Sequence, residues 1–289
     1  MNEKKSIELG ELYKELRMAR GLRLKDIAQD NLSIPQLSRF ENGQTMLAAD
    51  KLLLAISAIH MSFAEFGHAV NNYETTDFFK MGSRIMNLHQ DQDIEGLKQL
   101  LEDYKDYETY DVYNRLNLLV IKDSIHSLDN SYTIEKEEVE FLTQYLYSIE
   151  EWTEYELYIF GNTMSFLSNE DLIFLAKAFV ERDKFYHSIP SHDSTAKLTL
   201  LNIIAELIER NAFYYVSHFT NILESLITYQ DMFIITTINF FKLIVNYIKG
   251  EQKNKQKIRD YLLALETLGN TQLADFFATK FRHYTKVIL

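Results

Sequence analysis

The chain has 289 residues, 46% of them hydrophobic and 25% charged, with a net charge of −12; this is enough apolar content for a buried core and argues against disorder. Two prolines and nine glycines are too few for the many tight turns of a sheet protein, so long helices are expected, and zero cysteines exclude disulfides, thiol nucleophiles and cysteine-held zinc or iron–sulfur clusters. A cysteine-free chain of this length predicts about two domains in a reducing cytoplasm. The opening MNEKKSIELG carries charges without an apolar run behind it, so no signal peptide is expected. The most apolar stretch, MFIITTINFFKLIVNYI, is interrupted by Asn239, Lys242 and Asn246 and predicts a buried helix, not a membrane span.

Charge divides the chain. Residues 1–70 hold nine basic and nine acidic side chains, so the whole −12 falls on 71–289. Aromatic residues divide the same way, with only Tyr13, Phe40, Phe63 and Phe66 in the head. We therefore expect an all-α protein with a head at 1–70 and a separate helical body at 71–289.

In the head, Leu9, Leu12 and Leu16 recur at i, i+3 and i+7 and predict a first helix to about Arg20, closed by Gly21. A short second helix spans about Leu24 to Gln29, and Asp30-Asn31 supply the turn. Ser33-Ile34-Pro35-Gln36 has capping-box spacing and opens a third helix, with Leu37 and Phe40 on its inner face and Asn42-Gly43 at its end. A fourth helix at about Ala49–Ile59 and a fifth at about Ser62–His68 complete the head.

The second and third helices form a helix-turn-helix candidate. The segment LYKELRMARGLRLKDIAQDNLSIPQLSRFENGQ resembles the five-helix DNA-binding head of the Xre/Cro-like repressors through Leu16-Arg17, Arg20-Gly21, Ile27-Ala28, Ser33, Leu37-Ser38, Phe40-Glu41 and Gly43. LSRFENG followed by an acidic, all-helical body resembles, more narrowly, the Rgg/GadR/MutR regulators of Gram-positive bacteria. The start of such a recognition helix reaches base edges in the major groove. Its exposed face here carries Pro35, Gln36, Ser38 and Arg39; Gln36 can pair with adenine, and Arg39 can reach guanine or phosphate. Arg17, Arg23 and Lys25 flank it as candidate phosphate contacts, and Ser33 has two candidate roles, helix cap and phosphate donor. Arg20 and Glu41 are expected to pair and staple the first helix to the third. A homodimer on an inverted-repeat operator is expected, because one such head covers only a few base pairs.

In the body, alternate helices are expected to start near Thr75, Tyr107, Thr153, Ser194, Asp231 and Asn270, at intervals of 32 to 46 residues that fit degenerate two-helix, tetratricopeptide-like repeats. Stacked hairpins bury a shared core and leave a concave groove lined by the first helix of each pair. HSIPSHDS is the clearest interruption, between two repeats. Asn162, Asn202 and Asn239 hold similar places in successive groove helices, with Asn114 and Asn117 in the preceding one. An amide offers both donor and acceptor, so such a ladder suits an extended peptide backbone. Tyr158, Leu198 and Ile238, with Ile159, Phe166, Leu201 and Phe277, add apolar walls for a short hydrophobic peptide, and the Rgg resemblance implies the same ligand, a re-imported signalling peptide. The alternative is that the asparagines bridge neighbouring helices. The basic end FFATKFRHYTKVIL either caps the solenoid or packs across a dimer.

No HExxH, GxSxG, GxxxxGK or GxGxxG occurs, and His187 and His192 make a poor metal site, so neither enzyme nor cofactor is expected. The leading expectation is a cytoplasmic, peptide-controlled transcription regulator of the quorum-sensing kind. The alternative is a DNA-tethered scaffold whose solenoid binds a protein partner.

Overall fold

In a computed structural model of the chain, residues 4–74, 77–105, 111–129, 131–182, 189–251 and 254–288 are described. They form sixteen α-helices and one 3-10 turn, with no strand among the described residues. The chain divides into two compact units between Asn87 and Leu88.

The first unit holds α1 (Lys4–Ala19), α2 (Leu24–Ile27), α3 (Ile34–Glu41), α4 (Ala49–Ala58) and α5 (Phe63–Val70), the five helices expected of the head. Its core is Tyr13, Ile27, Leu32, Leu37, Phe40, Ala55, Ile56, Ile59 and Phe66. The inward stripe of α1 differs from the leucine reading. Gly10, Tyr13 and Arg17, at i, i+3 and i+7, are the buried positions, while Leu9, Leu12 and Leu16 are half-buried beside them. Tyr13 Oη donates to the Ala55 carbonyl at 2.9 Å, which satisfies a hydroxyl that would be costly to bury alone. Gly10 is required by close approach: a Cβ there would lie 1.9 Å from the Phe40 carbonyl oxygen.

α6 (Asp77–Gln90) spans the division. The second unit continues with α7 (Ile94–Lys105), α8 (Val112–Leu128), α9 (Lys136–Ser148), α10 (Glu154–Gly161), the 3-10 turn Met164–Phe166, α11 (Asn169–Arg182), α12 (Pro190–Glu209), α13 (Phe213–Leu226), α14 (Met232–Ile248), α15 (Asn254–Thr267) and α16 (Thr271–Thr285). α8, α10, α12, α14 and α16 pack each on the next, α7 packs on α8, α13 on α12 and α14, and α15 on α14 and α16. Thr153, Asp231 and Asn270, three of the expected starts, are N-cap residues. Thr75, Tyr107 and His187 lie outside the described residues. The expected start at Ser194 moves back to Pro190, which opens α12 instead of lying in a loop; proline in the first turn forfeits no helical hydrogen bond.

The apolar run of α14 is a core helix, with Ile234, Ile238, Phe240, Phe241 and Ile244 buried. Among the described residues no single helix is long and apolar enough to cross a membrane. Trp152 is wholly buried, its ring 5.9 Å from that of Phe179 and edge-on to Phe160. Buried Lys197 bonds Asp193 at 2.7 Å and Asp231 at 3.2 Å, tying α12 to the start of α14. Arg210, at the end of α12, donates to the Met164 and Leu167 carbonyls, each at 2.8 Å, and clamps the 3-10 turn. α16 folds back past α14: its Phe277 stacks on Phe240 at 4.3 Å, Tyr284 Oη reaches the Ala205 carbonyl at 3.4 Å, and His283 lies 2.9 Å from Glu209.

Candidate functional site

Two sites carry the function-bearing residues, one in each unit. In the first, α2 and α3 are joined by a turn that Gln29 and Leu32 close with two backbone bonds of 3.0 and 2.9 Å. α3 begins as a complete capping box. Ser33 Oγ accepts from Gln36 N at 3.4 Å, and Ser33 N donates to Gln36 Oε1 at 3.1 Å. The Ser33 hydroxyl thus fills the cap, the first of its two candidate roles. With Gln36 Oε1 engaged, only its amide N–H groups face outward, and two-point pairing with adenine would require the box to open. Ser38 is half-buried, and its carbonyl accepts from Asn42 Nδ2 at 2.8 Å. Arg39 is exposed; among the described residues only its Nε is engaged, with the Pro35 carbonyl at 3.4 Å, which leaves its two terminal amino groups for a base or phosphate.

The flanking cations separate. Lys25 and Arg23 are exposed. Arg23 shares its charge with Asp26 at 3.3 Å, and the bond from Arg23 N, followed by that from its side chain, holds the Asp26 carboxyl below its ordinary value. Arg17 is withdrawn from the surface, only 7% exposed, and makes the ion pair expected of Arg20. Its Nε lies 2.6 Å from Glu41 Oε1 and its Nη2 2.7 Å from Oε2, while Nη1 donates to the Leu22 carbonyl. Arg17 therefore staples α1 to α3 and is no phosphate contact. Arg20, exposed, bonds only the Leu16 carbonyl of its own helix among the described residues, at 2.9 Å. The swap follows from where α1 ends: Arg17 lies within the helix on the inward stripe of Gly10 and Tyr13, whereas Arg20 falls past its last residue, Ala19, in the turn before Gly21.

In the second unit, a stripe of α12 runs through exposed Leu198 and Asn202 to half-buried Glu206 at i, i+4 and i+8. Asn202 Nδ2 donates to the Gly161 carbonyl at 3.3 Å, which sets this stripe against the end of α10. There Tyr158 is half-buried and Asn162 exposed, four residues apart. Burial pushes the Tyr158 hydroxyl up to about 12, so it stays protonated at neutral pH. Asn162 Nδ2 donates to the Tyr158 carbonyl at 2.7 Å. Each amide therefore spends one N–H on the solenoid, and Asn202 does bridge two helices. Each keeps a second N–H and the Oδ1 acceptor unengaged among the described residues.

Several expected groove residues lie elsewhere. Ile238 is 2% exposed and belongs to the core, as do Ile159 and Phe277. Asn239 is exposed. Three residues before it, the Thr236 carbonyl accepts from Tyr261 of α15, and three residues after it, Lys242 pairs with Glu224 of α13. Asn239 thus lies between two positions of α14 that are tied to α15 and α13. The 37-residue spacing matched, but a repeat length that varies does not preserve helix phase. Asn117 Oδ1 accepts from Tyr155 Oη at 3.4 Å and so braces α8 against α10.

Sequence reasoning missed a polar cluster beside the α12 stripe. Asp123 of α8 accepts a bond from Ser165 in the 3-10 turn, and Glu206 bonds Arg210 Nε at 2.8 Å. The available signal was an aspartate between Ile121 and Ile125, both wholly buried.

A family model for the C-terminal domain of the helix-turn-helix-type transcriptional regulator Rgg matches residues 97–279, more than half of the chain. Solved structures share the fold over nearly the full length. The Streptococcus dysgalactiae pheromone receptor Rgg2 aligns with a TM-score of 0.78 at 24% identity, covering 95% of this chain and 99% of that one. A Listeria monocytogenes EGD-e protein described as a transcriptional regulator gives 0.80 at 18% identity, covering 97% and 98%. PrgX in complex with iCF10 gives 0.69 at 13% identity, covering 97% and 90%.

Proposed function

The chain belongs to the Rgg family of helix-turn-helix-type transcriptional regulators, and from that premise we propose that it reads an inverted-repeat operator as a homodimer and is switched by a short hydrophobic peptide held in the concave groove of its second unit. The carrying observation is the pairing of Tyr158 and Asn162 on α10 with Leu198 and Asn202 on α12. These four lie on adjacent helices joined by the Asn202–Gly161 bond, Asn162, Leu198 and Asn202 exposed and Tyr158 half-buried, and the two amides keep unengaged groups beside apolar side chains. The pheromone receptor Rgg2 and the PrgX/iCF10 complex, which share the fold, support a peptide as the occupant. The acidity of 71–289 supports a division of labour, since it repels DNA and confines contact to the neutral head. Placement in the cytoplasm follows from this reading, because operator and peptide must meet there.

Full-length protein mixed with fragmented source DNA at near-physiological salt tests the operator. A few sharp peaks sharing an inverted repeat are expected; featureless, salt-sensitive enrichment would sink the regulator reading. Arg39→Ala should lose about 1–3 kcal/mol of specific binding per head while leaving the helical circular dichroism unchanged. Unchanged operator affinity would remove α3 as the reader. Asn202→Ala should weaken peptide binding about tenfold, the loss of an amide that meets a peptide backbone, without altering DNA binding by the peptide-free protein. Equal peptide affinity in this variant would end the asparagine reading.

A further inference from the structure

Asp123 stands where the C-terminal ends of three helices meet. It lies in the last turns of α8, Ser165 follows the end of α10, and Glu206 is in the last turn of α12. Helix C-termini carry partial negative charge and unsatisfied carbonyls, and both favour a cation. One such cation is already built in: the Arg210 guanidinium takes Met164 and Leu167 carbonyls together with Glu206. Asp123 has no such partner. Among the described residues no lysine, arginine or histidine nitrogen pairs with it, and its one hydrogen bond is the neutral one from Ser165. Lys280 of α16 lies in the field of Glu209 and Glu206, and His89 of α6 lies in the field of Lys280; neither pairs with Asp123.

These residues adjoin the contact of α10 with α12 described above: Glu206 is four residues on from Asn202 along α12, and the 3-10 turn that carries Ser165 follows Asn162 and packs on both α8 and α12. Building on the peptide reading, we propose that Asp123, with Ser165 and Glu206 beside it, is the subsite for a primary ammonium of the bound peptide, either its free amino terminus or a lysine side chain. The groove then recognises a ligand that is apolar along Tyr158 and Leu198 and cationic at one point.

The energetic state of Asp123 fits a site awaiting a cation. Burial, and secondly the neighbouring Glu206, outweigh the Ser165 bond and push its carboxyl up to about 7. A raised carboxyl is carried without penalty below its ordinary value of 3.8 and costs stability as pH climbs through 7. An arriving ammonium removes that cost and expels the proton, so affinity for it should rise from pH 6 to pH 8.

The test uses full-length protein and affinity selection from apolar octapeptide libraries made with free or acetylated amino termini and with lysine or norleucine fixed at each position. Retained peptides are then titrated by calorimetry at pH 6 and pH 8. Peptides with a free ammonium are expected to be retained, and blocking it by acetylation or by lysine-to-norleucine exchange should weaken binding about tenfold or more at pH 8. Which exchange has the effect identifies the source of the ammonium. Asp123→Asn should abolish both the preference and the pH dependence while raising the melting temperature at pH 8, which shows that the variant folds. Peptides that bind equally well when blocked, or that keep their ammonium preference against Asp123→Asn, overturn the subsite and leave the peptide reading standing. Retention of no peptide at all overturns both.

Discussion

Glu41→Ala is expected to destabilise the first unit by about 3–5 kcal/mol, because it leaves the Arg17 guanidinium buried without its counter-charge. The two bonds of 2.6 and 2.7 Å hold a cation that has almost no access to water, so solvent cannot replace the lost carboxylate. The same arithmetic makes the double variant Arg17→Met/Glu41→Leu much milder than either single change, since a well-packed apolar pair needs no partner. Thermal melts distinguish the units. Trp152 is the only tryptophan and lies in the second unit, so its fluorescence reports that unit alone, whereas far-ultraviolet circular dichroism reports both. The Glu41→Ala melt should split, with an early dichroism transition and an unchanged fluorescence transition. A single unshifted transition would show that the pair contributes little.

Gly10→Ala should be comparably damaging, and its sign is diagnostic. In the interior of an ordinary helix this change stabilises by about 1 kcal/mol. Here the new methyl would stand 1.9 Å from the Phe40 carbonyl oxygen and 3.3 Å from Glu41 Cα. These are backbone atoms, so no side-chain rotation relieves the overlap and α1 must move away from α3. A loss of about 3 kcal/mol or more is expected, above the common cost of overpacking, with operator binding falling in parallel because α3 is displaced. The same split melt measures it. A variant as stable as the parent would mean that α1 and α3 separate at no cost, contrary to the packing described.

The head was largely legible from its punctuation. Ser33, Pro35 and Gln36 announced α3, and Leu37 with Phe40 announced its buried face, because caps and apolar spacing are local properties. The partner of Glu41 was not legible. Choosing between Arg17 and Arg20 depends on where α1 ends, at Ala19, and on a stripe whose markers, Gly10 and Tyr13, are not aliphatic. In the body, Thr153, Asp231 and Asn270 were legible as helix starts for the same local reason. Asn162 and Asn202 come together at the contact of α10 with α12, whereas Ile238 is buried in the core, since facing depends on residue-by-residue phase and on how each hairpin seats against the next. Asp123 and Ser165, 42 positions apart, meet only through stacking, and nothing local marks them as neighbours.

A stack of helical hairpins that touch only their nearest neighbours can fray from either end, one repeat at a time. The return of α16 to α12 changes that expectation. Tyr284 bonds Ala205 across 79 positions of chain, and His283 meets Glu209 alongside it. The last helix is thereby latched to a repeat that is not its neighbour, and α14 is held between them. Opening at the carboxyl end must break contacts belonging to three repeats at once, so those repeats melt as one cooperative block. That block forms late in folding, because the loop it closes is long.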